Sequence, residues 1–211
     1  MEKSRPQLPD NRNYEYSLNE AYRLATGSLR AAAIQEVCQR SGCEYSASDK
    51  TITLKYLNQL CHIKLPEIEF TGIELPLRER LIILHYLSWS KGSPLTNRLI
   101  SLKELPEARN YLRTYTKRTL QPLADNFGKK PLKLIEIASR IDGERADLGD
   151  ASVRINAIPR VPLTIVLWRG DNELPPQSNI LFDETVSDYL PTEDIIVLSE
   201  TVVWKLVRLA K

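Results

Sequence analysis

With 211 residues, 42% hydrophobic and 27% charged, and a formal net charge of +2, the chain can bury a substantial core and has the makeup of a soluble globular protein, not a disordered or fibrous one. No run of about 18 apolar residues is present to span a bilayer, and no apolar stretch near Met1 reads as a signal peptide, so a cytoplasmic protein without a membrane partner is expected. Cys38, Cys43 and Cys61 are an odd number of cysteines, which predicts reduced thiols and no disulfide framework.

Residues 1–16 are polar, contain proline and lack periodicity, and are expected to form a flexible lead; a single domain is expected over 17–211. Ser17 and Glu20 have the spacing of a capping box, in which hydroxyl and carboxylate each satisfy an orphan backbone donor of a first helical turn. From there a helical stripe of Leu18, Tyr22, Leu24, Leu29, Ile34 and Val37 runs to Ser41-Gly42, with Gly27-Ser28 as a possible division. Short strands are predicted at 44–47, 51–56, 60–65 and 67–70, separated by Ser48-Asp49-Lys50 and Asn58-Gln59, the composition of an antiparallel meander. Glu74-Leu75-Pro76 opens a second helix, LRERLIILHYLSW, apolar enough to lie inside.

Lys91-Gly92-Ser93-Pro94 ends that helix, and a short strand is predicted at 99–102. Residues 106–127 predict a third long helix bent near Pro122, and 131–141 a fourth that closes at Asp142-Gly143. Val153, Ile155 and Ala157 alternate as in a half-buried strand. Residues 163–168, rich in β-branched side chains and bounded by Pro162 and Gly170-Asp171, predict a buried central strand. A strand at 179–182 and an amphipathic helix from Thr192 to Leu209 complete the chain. Strands and helices segregate without a βαβ rhythm, so the predicted class is α+β with a mainly antiparallel sheet, several packing helices and one compact domain.

The segments FTGIELPLRERLIILHYL, LISLKEL, RTLQPLADNFG and the run from Leu148 to Asp194 resemble, in order and spacing, the domain-of-unknown-function family numbered 3786. The resemblance runs from about Glu20 to the C-terminus. It implies one compact domain in an anaerobic bacterium or archaeon, a link to one-carbon or redox metabolism, and an iron–sulfur or corrinoid protein as partner. It implies no activity. The four-cysteine cluster segment found in relatives has no counterpart in this sequence, so no cluster ligands carry over.

Charge is unevenly distributed: residues 107–145 hold nine Lys/Arg against five Asp/Glu, whereas 146–200 hold three Arg against ten Asp/Glu. On a straight helix Arg109, Arg113 and Lys117 align beside Tyr111 and Tyr115, with Arg118 adjacent, and guanidinium forks on such a face suit a phosphate or carboxylate; a solvated face accounts for the same pattern. The acidic stretch offers Asp150, Asp171, Glu173, Asp183, Glu193 and Asp194, several of them just after strands. Converging oxygens there would suit a hard divalent cation in an enzyme of hydrolysis or group transfer. Turn and helix-cap duty explains the same residues, with Asp183 and Thr192 as N-caps.

Cys38, Cys43 and Cys61-His62 have the ligand number of a tetrahedral zinc or iron site but not its usual spacing. His85 lies in an apolar helix without an accompanying nucleophile motif. Trp89, Trp204 and above all Trp168 are candidates to line a pocket for a flat ligand. With near-neutral charge and no recognised motif, nucleic acid is not an expected partner. The expected role is a non-catalytic binding or accessory module for a small-molecule cofactor of unspecified identity, with a cation-dependent enzyme and a protein-interaction module as the alternatives.

Overall fold

The computed structural model describes residues 11–171 and 173–211. Helix α1 spans Asn11–Arg30. Part of the expected lead, residues 1–10, lies outside the described residues, but 11–16 are helical, and Ser17 and Glu20 sit within α1, not at its start. The first break falls at residues 31–33 instead of Gly27-Ser28, and α2 (Ile34–Ser41) follows. It ends at Gly42, whose left-handed φ of +70° turns the chain so that the following amide, of Cys43, also reaches the Cys38 carbonyl at 3.0 Å.

Strands β1 (Glu44–Ser46), β2 (Thr51–Tyr56), β3 (Gln59–Lys64) and β4 (Glu69–Thr71) form the expected antiparallel meander in sequence order. The β2–β3 turn is Leu57-Asn58, one residue earlier than predicted, because Tyr56 pairs with Gln59 across a two-residue loop with both central φ values positive. A leucine is held in that conformation by the rest of the fold: Leu57 is buried, and its amide donates to the Ala157 carbonyl at 2.9 Å. Ile52, Leu54, Tyr56, Cys61 and Ile63 point into the core, while Thr53, Lys55, His62 and Lys64 lie on the outer face. Helix α3 (Leu77–Trp89) buries Leu81 to Leu84, Tyr86 and Leu87, and packs on α1 and α2.

A second antiparallel sheet has the order β5 (Leu99–Ser101), β9 (Gln177–Asp183), β8 (Val161–Trp168), β7 (Ala151–Ile158), β6 (Glu144–Ala146). Strand β8 is central, as its sequence predicts, and only Trp168 at its end is exposed. Val153, Ile155, Leu163, Ile165, Leu167, Ile180 and Phe182 form its inner face. They pack beneath α5 (Gln121–Phe127) and α6 (Leu132–Ser139), against which α7 (Thr192–Leu209) in turn packs. One continuous cluster of buried side chains joins both sheets and these helices. Among the described residues, each outer strand, β1, β4, β5 and β6, is only three residues long.

The fold class is therefore the expected α+β with antiparallel sheets, although there are two sheets where one was expected. The third helix differs from expectation. Glu107 takes a left-handed φ of +57°, so Ala108–Asn110 is a separate 3-10 turn. Helix α4 (Leu112–Tyr115) then runs through a π-turn at Thr116–Leu120 into α5. Proline cannot donate to the carbonyl four residues back and its ring clashes with it. The wider turn ahead of Pro122, in which the Gln121 amide bonds to Thr116, absorbs that misfit.

Candidate functional site

The basic residues expected on one helix face are divided by these breaks. Arg109 lies in the 3-10 turn, Arg113 in α4, and Lys117 with Arg118 in the π-turn, all exposed. Tyr111 is half-buried, and Tyr115 is core, at 2% exposure, so it cannot meet a ligand beside them. Trp168 is 42% exposed at the end of β8, Trp89 and Trp204 are exposed on α3 and α7, and among the described residues no ring contact joins the three.

The acidic residues are dispersed. At one end of the five-stranded sheet, the Asp150 carboxylate accepts the Arg169 amide at 2.6 Å, and Asp171 accepts the amides of Glu173 and Leu174 at 2.8 and 2.7 Å. These backbone donors hold the Asp171 carboxyl below its usual pKa. Asp183 sits at the opposite end, buried, and caps the 3-10 turn Glu184–Asp188 as predicted. Glu193 is exposed on the first turn of α7, whereas Asp194 is buried there. Among the described residues no three histidine, cysteine or acidic side chains group to hold a metal ion. Thr192 is not the N-cap of α7; Pro191 occupies that position, and the Thr192 hydroxyl donates to the Pro106 carbonyl at 2.8 Å.

The cysteines are free. Burial pushes the thiols of Cys38 and Cys61 up to about 11 and that of Cys43 to about 12, so at neutral pH all three are protonated and poor nucleophiles. Cys61 and His62 are neighbours on β3 and point to opposite faces; the imidazole Nδ1 lies 2.9 Å from the Thr53 hydroxyl, on the outer face. The pair cannot chelate one ion.

Two features escape a reading of the sequence. His85 Nδ1 lies 2.6 Å from Asp194 Oδ2, joining α3 to α7 across 109 residues of sequence. The second feature is a pocket of about 390 Å³ where the two sheets meet. Thr53, Lys55 and Leu60 from β2 and β3, Asn58 from their turn, Asp142 after α6 and Asn156 from β7 contribute to its wall. The same wall carries Lys55 and the acidic Glu44 and Asp142, with Leu60, Ile141 and Pro159 as apolar surface. None of these residues is close to all the others in sequence; the Leu57-Asn58 turn docked on Ala157 brings them together.

A family model described as Domain of unknown function (DUF3786) matches residues 33–205. No curated protein and no solved structure matches the chain.

Proposed function

Because the chain belongs to the DUF3786 family, whose description assigns no activity, we propose on physical grounds that it is a non-catalytic binding module for a small polar metabolite held between its two sheets. The observation that carries this reading is the pocket at the sheet junction, whose size falls within the range of small-molecule sites. Amide and hydroxyl groups of Asn58, Asn156 and Thr53 offer neutral hydrogen bonds, and Lys55 with Glu44 and Asp142 offers both signs of charge. That lining suits a neutral or zwitterionic molecule of amino-acid to nucleoside size, and the volume is too small for a whole corrinoid. A role beside one-carbon or redox chemistry, implied by the family resemblance, belongs to the same proposal. The carboxylate-bound cation enzyme is not supported, since its oxygens lie at opposite ends of a sheet and on a helix.

A thermal-shift screen against amino acids, nucleosides, folates and flavins tests the reading. Binding to the native state at a hundredfold excess over Kd stabilises by about 2.7 kcal/mol and raises Tm. Asn156→Trp, at an exposed position on the pocket wall, is expected to fold as the parent and lose the shift. No shift with any member of the panel, or an equal shift in the variant, overturns the proposal.

A further inference from the structure

We propose a second ligand site, independent of the junction pocket: the cleft between α2, the segment after α3 and the β7–β8 hairpin binds a phosphate-bearing anion. Its lining is Glu36, Gln39, Arg40, Lys91, Gly92 and Arg160.

Arg160 is the centre of the argument. It stands at the tip of the β7–β8 hairpin and folds back half-buried against Gly42; a Cβ at Gly42 would lie 3.0 Å from the Arg160 Nε. Beneath it, the hydroxyl of Tyr86 meets the Arg160 backbone and that of Tyr189 meets its side chain. Both tyrosines donate their own protons elsewhere, Tyr86 to the Ser41 carbonyl and Tyr189 to the Ser93 carbonyl, so they face Arg160 as acceptors. The guanidinium is thus positioned by neutral groups. Among the described residues no carboxylate lies within ion-pair distance of Arg160 or of Arg40. A partly desolvated cation without a counter-ion is costly, and the cleft in front of it is where an anion would offset that cost.

The other two cations approach from different elements. Arg40 comes from the last turn of α2, and Glu36, one turn earlier and also lining the cleft, does not lie within ion-pair distance of it. Lys91 is held by Asp188 at 2.9 Å, whose second oxygen accepts the Ser93 hydroxyl at 2.6 Å. Two guanidinium groups and an ammonium, brought to one cleft by three different elements, suit a tetrahedral oxyanion better than a planar carboxylate, which one fork satisfies.

Inorganic phosphate, titrated into the full chain at constant ionic strength and followed by calorimetry and by amide shifts of Gly42, Gly92 and Arg160, tests this. Saturable binding is expected. Arg40→Gln and Arg160→Gln are each expected to weaken it about tenfold, the worth of a charge-assisted hydrogen bond, and Lys117→Gln on the other basic surface is expected to leave it unchanged. If Arg160→Gln does not fold, Arg40→Gln, at an exposed helix end, decides alone. Failure to saturate, parental affinity in Arg40→Gln, or acetate binding as tightly as phosphate overturns the proposal.

Discussion

Asp183 shows how one carboxylate can be read from sequence in kind but not in extent. The FDET segment marks it as a cap, and it does cap the following 3-10 turn through the Thr185 amide. It also accepts from the Thr185 and Thr96 hydroxyls and from the amides of Thr96 and Asn97, 87 and 86 residues away, which no local pattern announces. Burial alone raises the Asp183 pKa, but the hydrogen bonds from Thr185, Thr96 and Asn97 outweigh it and hold the carboxyl below its usual value. A depressed folded-state pKa means stability that is present above the unfolded value of about 3.9 and lost as pH falls through the folded value. Asp183→Asn is therefore expected to cost about 3 kcal/mol at pH 7, where charged hydrogen bonds are lost and buried donors left unpaired, and the difference should shrink below pH 4. Urea unfolding at both pH values measures it. A constant difference would show that packing, not charge, matters there. Thr192 is the converse case: its TED context reads as a cap, but the hydroxyl is taken by Pro106, and only tertiary structure decides between the two.

Helix α3 and the chain from Ser187 to Glu200 run antiparallel along a polar seam. Arg78 meets Glu200 at 3.7 Å, His85 meets Asp194 at 2.6 Å, and the Trp89 indole donates to the Ser187 carbonyl at 3.1 Å. Asp194 combines a partly buried partner with a place in the first turn of α7, where the macrodipole favours negative charge; its neighbour Glu193 shares only the second advantage and is exposed. Asp194→Ala is expected to destabilise by about 2 kcal/mol, while Glu193→Gln should change stability by less than about 0.5 kcal/mol. Equal effects in chemical denaturation would assign the stabilisation to the dipole and remove the His85 contact from the account. Both helices are legible from their apolar content, and the central strand from its β-branched run. The pairing of the helices is not, because contacts separated by a hundred residues leave no periodicity. The basic stripe failed for a related reason: it assumed an unbroken helix, and Glu107 with the π-turn ahead of Pro122 interrupts it.

At the scale of the whole molecule, the two sheets share one buried cluster, so the protein is expected to unfold as a unit. The sequence supplies separate reporters. All three cysteines belong to the stretch from α2 to β3, and all three tryptophans to α3, β8 and α7. Thiol reactivity and indole fluorescence should therefore give the same urea midpoint; a thiol transition well ahead of the fluorescence would mean that the meander opens first.

The three-residue outer strands have a consequence beyond the native fold. A sheet recruits foreign chains through unpaired backbone groups along its border, and the length of that border sets how many ladder bonds an incoming segment can make before it meets a turn. Here all four borders are cut short, two per sheet, while the long apolar strand β8 is enclosed on both sides. The outer strands themselves thus offer only short templates for strand-to-strand aggregation, and the long apolar strand β8 becomes available only when the five-stranded sheet itself comes apart.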